Sequence, residues 1–261
     1  MIGCVTYMLG AEPVRLIRKD TMVTQGKNIL GVRTLTFKSE NTFEARIDLG
    51  DVLKVVIPGY KPKSYSINAI CKNQFDITVK LYPGGRASGY LDRMKINDSI
   101  RVFVRRPYIR SKGQFSHVGA IAFGVGITEA LPVAEAELRR SNYVTLLWAC
   151  RHSSDYFWDS RINQLKKTYP KRFKMVRILS REKRSDGTLY GRIDVSVLRD
   201  VFSVDDIPKS KIRFLRVGTK KMMRHADQCL RKLGFVTPGK HLLLQRRVLC
   251  SRMFNSNPER E

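Results

Sequence analysis

A single change of hydrophobic period near residue 112 constrains this chain more than any other feature. Before it, apolar residues come in short β-type runs at 14–17, 32–37, 52–57, 64–70, 75–81 and 100–104. Gly31, Gly50-Asp51, Pro58-Gly59 and Pro83-Gly84-Gly85 break the chain between them. Strands at this spacing, separated by turn formers, predict a small antiparallel barrel or sandwich. After it, compact apolar strands at 117–122, 144–149, 173–179 and 212–217 alternate with helical patterns at 128–140, 155–167, 194–201 and 220–233. That alternation predicts a parallel sheet covered on both faces. The expected organisation is an N-terminal extension (1–11), a β-barrel domain (12–112), an α/β parallel-sheet domain (117–245) and a basic tail (246–261), with 261 residues sufficing for two cores.

Charge narrows the partners. Lys and Arg number 49 against 23 Asp and Glu, a net +26. Residues 1–116 carry 20 basic and 9 acidic side chains and the remainder 29 and 14, so the excess is not a detachable tail. Two readings stand: a generally basic surface, or a component lying against RNA whose cations neutralise phosphates. No run reaches the ~18 uncharged apolar residues of a membrane helix. Cys4, Cys71, Cys150, Cys229 and Cys250 form no CxxC pair, and His117, His152, His225 and His241 are dispersed, so free thiols and no metal site are expected. The first dozen residues hold no Lys or Arg and so lack a transit-peptide pattern. The basic composition leaves a mitochondrial or other organellar matrix as the expected location, with the cytoplasm as the alternative.

Two segments carry chemistry. Lys63-Ser64-Tyr65-Ser66 opens a strand after a turn, setting a cation, a ring and a hydroxyl at the spacing that suits a flavin. Tyr82-Pro83-Gly84-Gly85-Arg86-Ala87-Ser88-Gly89-Tyr90-Leu91 ends in a short helix, where backbone N–H groups at Gly85, Arg86, Ala87 and Ser88 suit an anion. With Gly119-Ala120-Ile121-Ala122-Phe123-Gly124-Val125-Gly126-Ile127-Thr128, these segments resemble, in order, the motifs of the ferredoxin reductase superfamily, most closely its cytochrome b5 reductase branch. The resemblance covers residues 12 to about 245. It implies an FAD-binding barrel followed by a nicotinamide-nucleotide-binding sheet, with hydride passing from NAD(P)H to flavin. Carried over by position, Lys63, Ser64, Tyr65, Ser66, Tyr82, Gly85, Arg86, Ala87, Ser88 and Thr128 would hold FAD, with Ser66 at the flavin's reactive nitrogen. Gly124, Gly126, Ser180, Arg181, Gly218 and Met222 would meet NAD(P).

The departures from the family pattern fall mostly in the second half. Lys63 replaces an arginine, which keeps charge but loses a two-pronged phosphate contact. Phe123-Gly124-Val125-Gly126 replaces Gly-Gly-Thr-Gly, adding bulk where phosphate should approach. Glu129 stands at a proline position in the first helical turn. Val217-Gly218-Thr219-Lys220-Lys221-Met222 replaces Cys-Gly-Pro-Pro-Pro-Met, so the cysteine that faces nicotinamide becomes Val217. Ser180-Arg181-Glu182 with Tyr190 is similar to the plant-type reductase segment that contacts the 2′-phosphate of NADP, the alternative being a solvated charged loop. Arg216, Lys220 and Lys221 flank the expected nucleotide site and could hold a dinucleotide phosphate or an RNA backbone.

Two functions follow as expectations. In the first, FAD is kept, the nicotinamide site has decayed, and the basic surface docks on a ribonucleoprotein such as an organellar ribosome or its assembly intermediate. In the second, the chain is an active NAD(P)H-dependent flavin oxidoreductase passing electrons to a haem or iron–sulfur protein, with an acidic electron-transfer protein as partner.

Overall fold

The computed structural model of the chain describes residues 11–23, 31–40, 51–106, 116–140, 142–202 and 208–235. The N-terminal extension, the junction with Arg110 and Lys112, Cys4, Cys250, His241 and the basic tail lie outside the described residues.

The first domain is a closed antiparallel barrel of β1 (Glu12–Val23), β2 (Gly31–Ser39), β3 (Val52–Val56), β4 (Lys63–Cys71), β5 (Gln74–Leu81) and β6 (Ser99–Arg106). Around the barrel the order is β1-β2-β5-β4-β3-β6. Alternation sends Leu16, Leu35, Phe37, Leu53, Val55, Ile67, Phe75 and Ile77 into one core, each at most 2% exposed. β1 outruns its sequence-predicted length because register shifts at Leu16/Arg18 and Thr21/Val23 let it bend and pair with both β2 and β6. Helix α1 (Arg86–Arg93) closes the barrel with Leu91, and Met94 follows it into the core.

The second domain carries a parallel sheet of β7 (His117–Phe123), β8 (Tyr143–Cys150), β9 (Phe173–Leu179), the two-residue β10 (Leu189–Tyr190) and β11 (Ile212–Val217), in the order β10-β9-β8-β7-β11. Helices α2 (Ile127–Arg139), α3 (Asp159–Thr168), α4 (Val195–Phe202) and α5 (Lys220–Lys232) connect and cover it. One core forms around Trp148 and Leu131, and the other around Phe202, Phe214 and Leu230. The helix expected from residue 155 begins at Asp159. A 3-10 turn occupies Ser153–Asp155, and Trp158 has φ +65°, which no α-helix tolerates in its interior. Tyr156 and Phe157 pack edge-on against Trp148, as core residues do. Among the described residues no helix is long and apolar enough to cross a membrane.

β7 leads through α2 to β8 on one side, while β11 returns on the other, so the strand order reverses between β7 and β11. In an open parallel sheet, ligands enter at the C-terminal strand ends beside that reversal.

Candidate active site at the joint of the two domains

On the barrel side, β4 presents Lys63 and Ser64 exposed and Tyr65 and Ser66 half-buried. Burial pushes the Tyr65 phenol up to about 12, so it stays a neutral hydroxyl at physiological pH. Tyr82 is 49% exposed, with Lys80 Nζ 6.0 Å from its ring centroid. The turn before α1 needs its glycines. Gly84 has φ +67°, and a Cβ on Gly85 would lie 2.3 Å from Ser88 Oγ and 2.9 Å from the Tyr82 carbonyl. The N-terminus of α1 has no side-chain cap and no acidic residue in its first turn. Its N–H groups at Arg86, Ala87 and Ser88, with the Arg86 charge, are therefore arranged for an anion. These residues fit FAD: pyrophosphate at the α1 N-terminus with Lys63 as counter-charge, and the aromatic system along Tyr65 and Ser66.

On the sheet side, the loop Gly124–Gly126 leaves β7 at the reversal. Gly124 has φ +54° and open space around its Cα, and Trp148 Nε1 donates 2.8 Å to its carbonyl, fixing the loop from below. Gly126 packs directly on the Val217 backbone at the end of β11. The bulk of Phe123 does not enter the open space over Gly124. Its ring lies on Gly218, where a Cβ would come within 2.8–3.1 Å of it. Thr128 turns its hydroxyl onto the Val125 carbonyl at 2.9 Å, so its hydroxyl orders the loop. Ser180 ends beyond β9, and Met222, 40% exposed, stands in the first turn of α5. Ser180, Gly124 and Gly218 thus share the C-terminal edge of the sheet, which fits a nicotinamide nucleotide laid across it.

The loop after β9 is organised rather than merely solvated. Glu182 accepts 2.8 Å and 2.7 Å hydrogen bonds from the Ser153 N–H and hydroxyl, and these bonds hold its carboxyl below the usual range. Arg184 pairs with Glu182 and Asp186, while Arg181 stays exposed at the edge. Arg216 is not available to phosphate, contrary to the sequence expectation. It is bound to Asp227 of α5 at 2.7 Å and to the Phe214 carbonyl at 3.1 Å. Lys220 and Lys221 remain exposed.

Sequence reasoning missed the joint between the domains. Pro132 lies inside α2 and has no N–H for the Thr128 carbonyl four residues back. Asn68 of β4, fully buried, donates to that carbonyl at 3.4 Å and to the Ser66 carbonyl at 2.8 Å, while its own Oδ1 accepts from Thr78 at 2.8 Å. Arg161 of α3 donates 2.7 Å to the Asn68 carbonyl and grips both oxygens of Glu135 on α2. Lys80 of β5 pairs with Asp155 at 3.0 Å, both side chains 15% exposed. Finally, Ser66 Oγ lies 3.4 Å from Glu129 Oε2. The residue out of place in the family pattern therefore faces the flavin strand. A proline inside a predicted helix was the one available sign that its i−4 carbonyl needed an outside donor.

Comparison with known proteins agrees with this geometry. Residues 23–108 match the family model of an oxidoreductase FAD-binding domain, and residues 120–228 match that of an oxidoreductase NAD-binding domain. The chain is 27% identical over 186 residues to NADH–cytochrome b5 reductase 1 of Arabidopsis thaliana, covering 69% of this chain and 63% of that protein. It is 29% identical over 201 residues to a flavohemoprotein of Schizosaccharomyces pombe, covering 70% and 45%. The chain therefore spans about two thirds or less of these relatives. The cytochrome b5 reductase domain of Ulva prolifera nitrate reductase has the same fold, with TM-score 0.73 and 18% identity over 88% of this chain and 95% of that one.

Proposed function

The chain belongs to the ferredoxin–NADP reductase superfamily and is cytochrome b5 reductase-like, and from that premise we propose that it is an NAD(P)H-dependent flavin oxidoreductase. The observation that carries the proposal is the meeting of β4 with the start of α2. The strand bearing Tyr65 and Ser66 touches the helix that follows the Gly124–Gly126 loop, so groups held on the two domains would face one another.

FAD, when bound, supplies the two-electron chemistry, and the protein contributes position and field. The N-terminus of α1 with Lys63 and Arg86 holds negative charge. Tyr65 offers a ring face and a phenol that stays protonated. Ser66 and Glu129 set a hydroxyl and a carboxylate beside each other at the domain joint, where Ser66 can donate a hydrogen bond toward a flavin or return it to Glu129. Asn68, Arg161 and the Lys80–Asp155 pair fix the distance between the halves, and positioning of this kind is a large share of what an enzyme supplies.

The electron acceptor is a haem or iron–sulfur protein with an acidic face, matching the basic surface. The repurposed reading loses its main steric argument, because Phe123 rests on Gly218 rather than over the Gly124 loop. Steady-state reduction of ferricyanide by NADH and NADPH tests the proposal, with Ser66→Ala as the discriminating variant. Turnover by the unaltered protein, cut about 100-fold by Ser66→Ala with FAD content unchanged, supports it. Absence of turnover in the FAD-loaded protein overturns it.

A further inference from the structure

The N-terminal edge of the parallel sheet, opposite the cofactor side, carries a concentration of positive charge that the oxidoreductase reading does not use. In a right-handed βαβ fold, strand starts and helix ends share one edge. Here that edge is tied together by backbone and side-chain bonds. Ser116 N donates to the Lys211 carbonyl, Tyr143 N to the Ser116 carbonyl, Val144 N to the Arg172 carbonyl and the Arg172 guanidinium to the Leu138 carbonyl. On it stand Arg139 and Arg140 at the end of α2, Lys166 and Lys167 at the end of α3, Lys171 before β9 and Lys211 before β11, all exposed. None belongs to any ion pair found among the described residues, whereas Arg15, Arg18, Arg33, Arg161, Arg177, Arg184 and Arg216 all do. Nearby acids offer little compensation among the described residues: Glu137 is buried against Asn142, and Asp200 is exposed on α4. Asp205 and Asp206 lie outside the described residues.

Helix dipoles account for cations in the last turns of α2 and α3. They do not account for Lys171, which sits in the turn before β9, and a single 3-10 turn at Lys209–Lys211 gives Lys211 little dipole to answer. Among these charges Tyr143, at the start of β8, exposes 44% of its surface with one side tilted toward the His117 ring at 6.4 Å, and Tyr169 at the end of α3 carries Arg172 stacked 4.9 Å over its ring. Lysine-rich charge interleaved with an exposed ring is the pattern that tracks a phosphate backbone while stacking a base. An acidic protein or an anionic membrane would use the same charge, and the salt slope and the competition below separate them from a nucleic acid.

We propose that this edge binds a single-stranded nucleic acid, with phosphates on Lys166, Lys171 and Lys211 and a base on Tyr143. The surface lies about 20 Å from the Gly124 loop, the length of seven-residue β7, so binding there leaves the cofactor cleft open. The inference does not depend on the oxidoreductase reading.

Fluorescence anisotropy with a labelled 20-nucleotide oligouridylate tests it on the full-length protein, with FAD content and melting temperature measured on every variant. Each phosphate contact adds about 0.7 to the slope of log affinity against log salt. Lys166→Glu/Lys171→Glu/Lys211→Glu is expected to flatten that slope by about 2, and Tyr143→Ala to weaken binding about 5- to 140-fold with the slope kept. The matching reversal on the barrel, Lys72→Glu/Arg93→Glu/Lys95→Glu, changes net charge equally and is expected to leave the slope within about 0.7 of the original. Equal losses from both triple variants, or no effect of Tyr143→Ala, would show diffuse attraction and overturn the proposal. So would preferential displacement of the RNA by poly-glutamate or by phosphatidylserine vesicles. If a glutamate variant fails to hold FAD, the glutamine triple replaces it, with the same expected change of slope.

Discussion

Gly126→Ala isolates the packing that sets the nucleotide crevice. Gly126 has φ −58° and ψ −17°, so alanine suits its backbone and any penalty is steric. The new Cβ would lie 2.4 Å from the Val217 carbonyl oxygen, 3.0 Å from its carbon and 3.2 Å from Val217 Cβ, against 3.4 Å for ordinary contact. Two of those neighbours are backbone, so no rotamer change relieves them, and the ends of β7 and β11 must part by about 1 Å. Overpacking of this kind costs about 1–3 kcal/mol, which for a protein of this size lowers the melting temperature by roughly 2–10 °C. The same 1 Å displacement at a binding crevice costs on the order of 100-fold in rate. Stopped-flow reduction of the bound flavin by NADH and NADPH, with dithionite reduction as control, reads this directly. NAD(P)H-driven reduction should fall while dithionite reduction and FAD content hold. Gly124→Asn is the companion, since asparagine tolerates φ +54° and nothing lies within 4 Å of the new Cβ. It should spare stability and weaken only the nucleotide reaction. A Gly126→Ala protein with unaltered melting and unaltered reduction would refute the description of the β7–β11 contact.

Three other outcomes follow from the same structure. Asn68→Leu leaves the Thr128 and Ser66 carbonyls without their donor, and should cost about 2–4 kcal/mol and split one thermal transition into two, as calorimetry would register. Removing the Arg161 side chain with Arg161→Met strands the nearly buried Glu135 carboxylate, so a loss of about 2–3 kcal/mol is expected in urea unfolding, below the value for a wholly buried pair because Arg161 is 26% exposed. His117, buried at the start of β7 against Thr145 with Lys174 nearby, has its pKa pushed down to about 4, chiefly by desolvation. The unfolded chain then takes up this proton from about pH 6.5 downward and the folded chain only near pH 4, so stability present above pH 6.5 is lost on acidification, by about 3 kcal/mol at pH 4. In His117→Gln that part of the pH dependence should vanish from chemical denaturation curves.

Much of the fold was legible because it is written in period. β9 and β11 coincide with their predicted ranges, and most other elements differ by one or two residues at an end. β1 and α3 depart further, through register shifts in one and the left-handed Trp158 in the other. Both are local backbone events that no hydrophobic pattern encodes. The glycine loops of the site were legible for the same reason that makes them glycine: a positive φ at Gly84 and Gly124, and close contact at Gly85 and Gly126. The position of Phe123 was misjudged because bulk was visible in the sequence but its direction was not, and Gly218, nearly a hundred residues later, is what makes room for it. Arg216 was misjudged likewise, since Asp227 reaches it only once α5 folds back on β11. The domain joint was illegible altogether. Asn68, Arg161 and Lys80 each meet partners more than 50 residues away, and none lies in a motif.

The central claim is that the two domains are joined so that a nicotinamide nucleotide delivers electrons to a flavin held on β4 and α1. Anaerobic absorbance titration of the FAD-loaded protein with NADH and then NADPH tests it most directly. Bleaching of the bound-flavin bands, saturating at one equivalent of nucleotide per flavin, is the predicted result. Bands that stay oxidised under both nucleotides yet bleach with dithionite would contradict it.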